Sequence, residues 1–148
     1  MLEADKIFIK WDEFHNDTKI LCEKIKATNI KFNKIVAISR GGLIPAGIVA
    51  YELGIRNSAV INIATYVGAQ HLKLDEVDSP ENVGVVDNNT LIVDDLSDQG
   101  QTFRVMRRAF PLGKYVSVYA KPCGKKEVDI CAKEIPDKWV IFPWDVDE

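Results

Sequence analysis

Apolar residues fall along this chain in short blocks whose spacing switches between that of strands and that of helices. Ile7–Ile9 alternates and predicts a strand. Phe14, Leu21, Cys22 and Ile25 recur at helical spacing and predict a helix from about Asp12, placed as a cap, to Ala27. Lys34–Ile38 is an apolar run suited to a strand buried on both faces, and it stops abruptly at Ser39-Arg40-Gly41-Gly42. Leu43–Leu53 predicts a second helix, with Pro45 tolerated in the first turn and Gly54 as the stop. Ala59–Ile63, Thr90–Val93, Tyr115–Ala120, Val128–Ile135 and Trp139–Phe142 predict further strands, and Thr102–Ala109 a short helix ended by Pro111 and Gly113. From Thr65 to Asn89 the periodicity is weak and turn formers are frequent, which predicts a long excursion of the kind that often carries function. Strands alternating with helices predict an α/β fold with a central parallel sheet covered on both faces. No linker, repeat or low-complexity tract divides the chain, so residues 1–148 are expected to form one domain.

Composition narrows the function classes. The chain is 47% hydrophobic and 28% charged, which is globular, and its net charge of −3 argues against a DNA or RNA binder held by bulk positive charge. No apolar run reaches a membrane span and the N-terminus lacks the layout of a secretory signal, so a soluble cytoplasmic protein is expected. Cys22, Cys123 and Cys131 form no C-x-x-C pair, and His15 and His71 no helical metal pair, so the thiols are expected to be buried or indifferent. Charge is segregated: every ionic residue from Asp75 to Asp98 is acidic, and every one from Arg104 to Lys126 is basic. Solvated surfaces account for that pattern, and so does an acidic edge facing a metal or sugar beside bases that receive an anion.

The most informative stretch is Leu91-Ile-Val-Asp-Asp-Leu-Ser-Asp-Gln-Gly-Gln-Thr-Phe103. An apolar strand delivers Asp94 and Asp95 at its C-terminal end, the edge where open α/β sheets bind ligands. A turn with Gly100 and a helix start near Thr102 follow, and the amides of such a turn suit a phosphate. The paired carboxylates suit sugar hydroxyls or Mg²⁺. A ribose 5′-phosphate satisfies both halves. Paired acids also simply close strands. A receiver-type phosphorylation pocket fails on the order of its acids and lysine, and a P-loop fails for want of its motif.

This segment resembles the phosphoribosyl-pyrophosphate (PRPP) motif of type I phosphoribosyltransferases. Ala37-Ile-Ser-Arg-Gly-Gly-Leu-Ile-Pro45 resembles the pyrophosphate loop of the family's bacterial xanthine-guanine members, and Ala120-Lys-Pro-Cys-Gly124 and Trp139-Val-Ile-Phe-Pro-Trp-Asp145 resemble their purine-binding segments. Order and spacing agree from about Trp11 to Asp145.

The resemblance implies a parallel sheet flanked by helices, a small hood from the chain ends and a mobile loop at about 65–89. It implies transfer of a phosphoribosyl group from PRPP to guanine or xanthine, and more weakly hypoxanthine, giving GMP, XMP or IMP and pyrophosphate with Mg²⁺. It implies Asp94 and Asp95 at the ribose hydroxyls, with Asp95 also near Mg²⁺, and Asp98 as general acid/base near purine N7. Asp98, Gln99, Gly100, Gln101 and Thr102 would hold the 5′-phosphate. Ser39, Arg40, Gly41 and Gly42 would bind pyrophosphate around a cis peptide at Ser39–Arg40. Lys121 would donate to purine O6, Trp139 stack on the base, the Val140 carbonyl accept from it and Asp145 sit near its edge. A homodimer or homotetramer is implied as well.

Gln99 and Gln101 stand where relatives often carry a hydroxyl residue and a glycine. Tyr66–Lys73 offers only His71 and Lys73 where the mobile loop of a relative carries arginine, and Ile141 replaces an acidic residue. These departures leave a second function class open, a non-catalytic PRPP or nucleotide sensor on the same fold.

Overall fold

The computed structural model describes residues 2–64 and 76–146. In chain order the elements are β1 (Lys6–Phe8), α1 (Trp11–Ala27), β2 (Lys34–Ile38), α2 (Leu43–Leu53), β3 (Ser58–Ala64), β4 (Glu76–Asp78), β5 (Thr90–Ser97), α3 (Gln101–Ala109), β6 (Lys114–Ala120), β7 (Ile130–Glu134) and β8 (Trp139–Ile141). Six strands form one sheet in the order β4-β3-β2-β5-β6-β7, parallel except for β4 at one edge. β1 and β8, from the two chain ends, make a separate parallel pair with Ile7 opposite Val140.

The strongly apolar strands are central because each is covered twice. On one face Ile35, Ala37, Leu91, Val93 and Val116 pack with Phe14, Leu21, Ile25, Ala46 and Val49 of α1 and α2. On the other Val36, Ile38, Ile92 and Tyr115 pack with Phe103 and Met106 of α3. Alternate residues of one strand therefore serve two cores, which is why β2 and β5 read as unbroken apolar runs.

The α2 bounds match the pattern, and Gly54 ends the helix in the left-handed region at φ 69°. Several other elements shift by a residue or two at their ends, β7 running Ile130–Glu134 where Val128–Ile135 is expected, and three further differences bear on the site. α1 starts at Trp11, and Asp12 lies inside its first turn, accepting the Glu13 N–H at 2.9 Å, while Lys10 occupies the cap position. β5 runs on past Val93 through both aspartates to Ser97, because β6 continues beside it and pairs Leu96 with Tyr119 and Ser97 with Ala120. Within the 65–89 excursion, β4 pairs antiparallel with β3 and Pro80–Val83 forms a short 3-10 turn; Tyr66, His71 and Lys73 lie outside the described residues. Among the described residues no helix is long and apolar enough to cross a membrane.

Candidate active site

β2 and β5 are neighbours at the centre of the sheet, with Ala37 opposite Val93. The chain leaves β2 through α2 towards β3 on one side, and leaves β5 through α3 towards β6 on the other. α2 and α3 lie on opposite faces, so the two exit loops diverge and open a crevice at the carboxyl ends of the strands. Ser39–Gly42 forms one lip and Asp94–Thr102 the other.

The lips touch. A Cβ on Gly41 would lie 2.6 Å from both carboxylate oxygens of Asp95, and one on Gly42 would strike the Val93 carbonyl oxygen. Only side chains without a Cβ let this loop lie against the acidic strand. The Ser39–Arg40 peptide is cis. Gly42 donates its N–H to the Ile38 carbonyl at 2.7 Å and leads straight into α2.

Asp94 accepts the Asp95 N–H at 2.8 Å. Burial pushes both carboxyls above the ordinary carboxylate range, Asp94 well above it, with the neighbouring Asp95 charge as its second cause. A half-buried pair of like charges stabilises nothing by itself; what it offers is a place where a cation or hydroxyl donors are favoured. After β5 the chain turns at Gly100, whose φ of 83° requires glycine, and α3 begins at Gln101. Asp94 and Thr102 line two adjoining cavities. The smaller, about 270 Å³, is walled by Ser97–Phe103; the larger, about 1010 Å³, runs from Ser39–Gly41 past Asp95 to Trp139, Ile141 and Asp145.

Lys121 follows β6 and is only 5% exposed. Its N–H bonds the Ser97 carbonyl at 3.0 Å, and the Ser97 hydroxyl donates to the Gly124 carbonyl at 2.9 Å, which clamps the Lys121–Gly124 turn to the end of β5. Its ammonium sits 3.2 Å from an Asp98 carboxylate oxygen and 3.9 Å from one of Asp137. Taken alone, a lysine after a strand suggests a surface residue; tertiary packing buries this one and pairs it with Asp98.

The far wall of the larger cavity comes from the C-terminal segment. Trp139 is 56% exposed and lines the cavity, whereas Trp144 also packs beneath it. Trp144 stacks on Phe142 at 4.6 Å and meets Phe14 of α1 edge-on at 4.8 Å. Asp145 accepts the Phe142 N–H at 2.8 Å and so closes the turn beneath it. Val140 is buried, and its strand pairs with β1. Asp17 of α1, buried, accepts the Tyr119 hydroxyl at 2.6 Å and ties the helix under this wall to β6. Burial and that hydrogen bond hold the Tyr119 phenol protonated. Sequence reasoning missed the Asp17–Tyr119 pair, because an aspartate at helix spacing among polar neighbours carries no sign of a partner so distant in the chain.

Gln99 and Gln101 are exposed at the turn, and the Gln99 carbonyl accepts from Arg104 at 3.1 Å. Arg104 and Arg107 are ion-paired with Glu127 and Asp129, so part of the basic run is neutralised locally. Cys22 and Cys131 are buried and Cys123 exposed, all as free thiols; burial raises the Cys22 thiol to about 11.

The phosphoribosyl transferase domain matches residues 10–148. The chain belongs to the phosphoribosyl transferase family. A purine phosphoribosyltransferase from Pyrococcus horikoshii superposes with a TM-score of 0.83 at 28% identity, covering 97% of each chain. The xanthine-guanine-hypoxanthine phosphoribosyltransferase of Helicobacter pylori matches at 0.79 and 19% identity, over 95% of this chain and 94% of the other. A Neisseria gonorrhoeae protein solved with bound ppGpp matches at 0.75 and 24% identity, over 96% and 90%. The fold of this phosphoribosyltransferase-family chain, a mostly parallel sheet between helices, is the type I phosphoribosyltransferase fold.

Proposed function

We propose that the chain is a purine-salvage phosphoribosyltransferase that transfers the phosphoribosyl group of PRPP to a 6-oxopurine, guanine or xanthine ahead of hypoxanthine. The observation that carries this is the fork between β2 and β5, where the Ser39–Gly42 loop lies against Asp95 and one cavity joins it to Trp139. The 28% identity to a purine phosphoribosyltransferase across nearly the whole chain supports a purine over another base.

In this reading the Gly100 turn and the first amides of α3, with the Thr102 hydroxyl, hold the 5′-phosphate, and Asp94 and Asp95 face the ribose hydroxyls. Arg40 and the backbone around Gly41 and Gly42 receive pyrophosphate as the C1′–oxygen bond breaks and the bond from C1′ to the purine nitrogen forms. Asp98 takes the proton that the purine releases. Lys121, a donor only, offers a hydrogen to O6 and disfavours the 6-amino group of adenine. Trp139 stacks on the ring, and the Val140 carbonyl and Asp145 face its edge.

Asp95, with Asp94 beside it, fits Mg²⁺, a hard cation that takes one or two carboxylates and fills its other positions with water and substrate oxygens. The raised carboxyls are the reason: a cation relieves the cost of two adjacent, partly desolvated like charges. When bound, Mg²⁺ would neutralise charge on the leaving pyrophosphate.

The test is a chromatographic assay with Mg²⁺ and PRPP against guanine, xanthine, hypoxanthine, adenine and uracil separately. Monophosphate from the 6-oxopurines alone is the expected result. No product from any base, with PRPP still raising the melting temperature, would overturn catalysis and leave a sensor on the same fold.

A further inference from the structure

Lys121 has two carboxylates beside its ammonium, and the proposed reaction occupies the nearer one. Asp98 lies 3.2 Å away and Asp137 3.9 Å away, with no other carboxylate within ion-pair distance among the described residues. The lysine side chain is buried, and a buried ammonium without a counter-charge is strongly disfavoured. In the proposed reaction Asp98 turns to the purine and takes the proton that it releases. The lysine that must hold O6 then loses its closer partner. Asp137 stands outside that proton transfer and remains as the counter-charge.

The backbone fixes Asp137 at this spot. It lies in the connection between β7 and β8, where the Ile135 N–H bonds the Ala120 carbonyl at 2.9 Å and the Lys138 N–H bonds the Pro136 carbonyl at 2.8 Å. The first bond ties the connection to the residue directly before Lys121. The second closes a three-residue turn with Asp137 at its centre, two residues before Trp139. One short segment thus joins the lysine proposed to read O6 to the ring proposed to stack on the base. Folding stability does not account for the placement. The Asp137 side chain is 83% exposed, and an ion pair so open to water contributes little to stability. Its carboxylate keeps its own hydration while facing an ammonium that has lost most of its own.

We propose that Asp137 is a positioning residue for purine recognition, holding the Lys121 ammonium towards the base and out of an exclusive pair with Asp98. This rests on the reading of Lys121 as the O6 donor. With Asp137 gone, Asp98 becomes the sole carboxylate within reach of the ammonium, so the group that must hold O6 and the group that must receive a proton are drawn onto each other. The effect is confined to position 6 of the purine. Stacking on Trp139 and the grip of the Gly100 turn on a 5′-phosphate do not pass through Asp137.

Calorimetric binding of IMP and AMP to the full chain tests it, because the two monophosphates share ribose and phosphate and differ at position 6 and the ring nitrogen beside it. The wild type is expected to prefer IMP. Asp137→Asn should cut that preference by about three- to tenfold, through weaker IMP binding, with AMP binding and the melting temperature unchanged. Asp137→Glu keeps the charge and should keep most of the preference. A wild type that binds the two alike would overturn the O6 reading of Lys121, and this inference with it. A wild type that prefers IMP, beside an Asp137→Asn variant within about twofold of it or an Asp137→Glu variant that loses as much as Asp137→Asn, would overturn the inference alone.

Discussion

The two walls of the site differ in how the chain builds them. The lip from Asp94 to Thr102 is one uninterrupted stretch: a strand end, a left-handed glycine and the first turn of a helix place its carboxylates and amides by local geometry. The wall from Trp139 to Asp145 is positioned by partners far away in sequence, Phe14 from α1, Tyr119 from β6 and β1 from the other chain end. A change in the first wall should alter chemistry and leave the fold standing. A change beneath the second should loosen the fold before it touches chemistry.

Asp98→Asn should show the largest effect: a loss of about 10²–10⁴ in kcat. Asparagine still offers an oxygen to Lys121, so stability should hold; turnover within a few-fold of wild type would remove Asp98 from its proposed role. Phe14→Ala acts on the other wall and should cost about 3–5 kcal/mol in urea unfolding, because it leaves a void under Phe142 and Trp144. A loss below about 1 kcal/mol would mean that the C-terminal segment docks without α1.

The two tryptophans divide the comparison within one segment. Trp139→Leu should raise the purine KM by roughly ten- to a hundredfold, the worth of about 1–3 kcal/mol of stacking, and leave the melting temperature alone. Trp144→Leu should lower the melting temperature. The reverse pattern would exchange their roles.

The smallest expected effect is a gain. Asp94 is half-buried beside Asp95 with its carboxyl pushed up by desolvation, so its charged form opposes folding. Asp94→Asn should therefore melt above wild type at neutral pH without Mg²⁺. A folded-state carboxyl raised above its unfolded value regains stability as pH falls through the raised value, so the gap should close towards the ordinary carboxylate range, about 3.9. A gap independent of pH would assign the gain to something other than charge.

Legibility followed the same division. α2 and the heart of each central strand were visible because apolar runs, Pro45 and Gly54 act locally, and Asp94, Asp95 and Asp98 stood out as one motif. The extension of β5 through its aspartates was not visible, since it depends on β6 lying alongside. Nor could Trp139 and Trp144 be told apart: both are tryptophans in an apolar segment, and the choice of which one meets solvent belongs to α1.

The sequence by itself determined the alternation of strands and helices, the two glycine-bearing loops and the acidic motif, because backbone preference and side-chain period act over a few residues. The tertiary structure decided that the two loops meet, with Gly41 against Asp95, and that Lys121 is buried against Asp98. It also decided which of the two tryptophans lining the cavity is the more exposed, Trp139, and which packs on Phe14 and Phe142, Trp144. Those outcomes depend on which strands become neighbours and on what covers each side chain. Burial and Coulomb energy at such positions come from residues that local pattern does not connect.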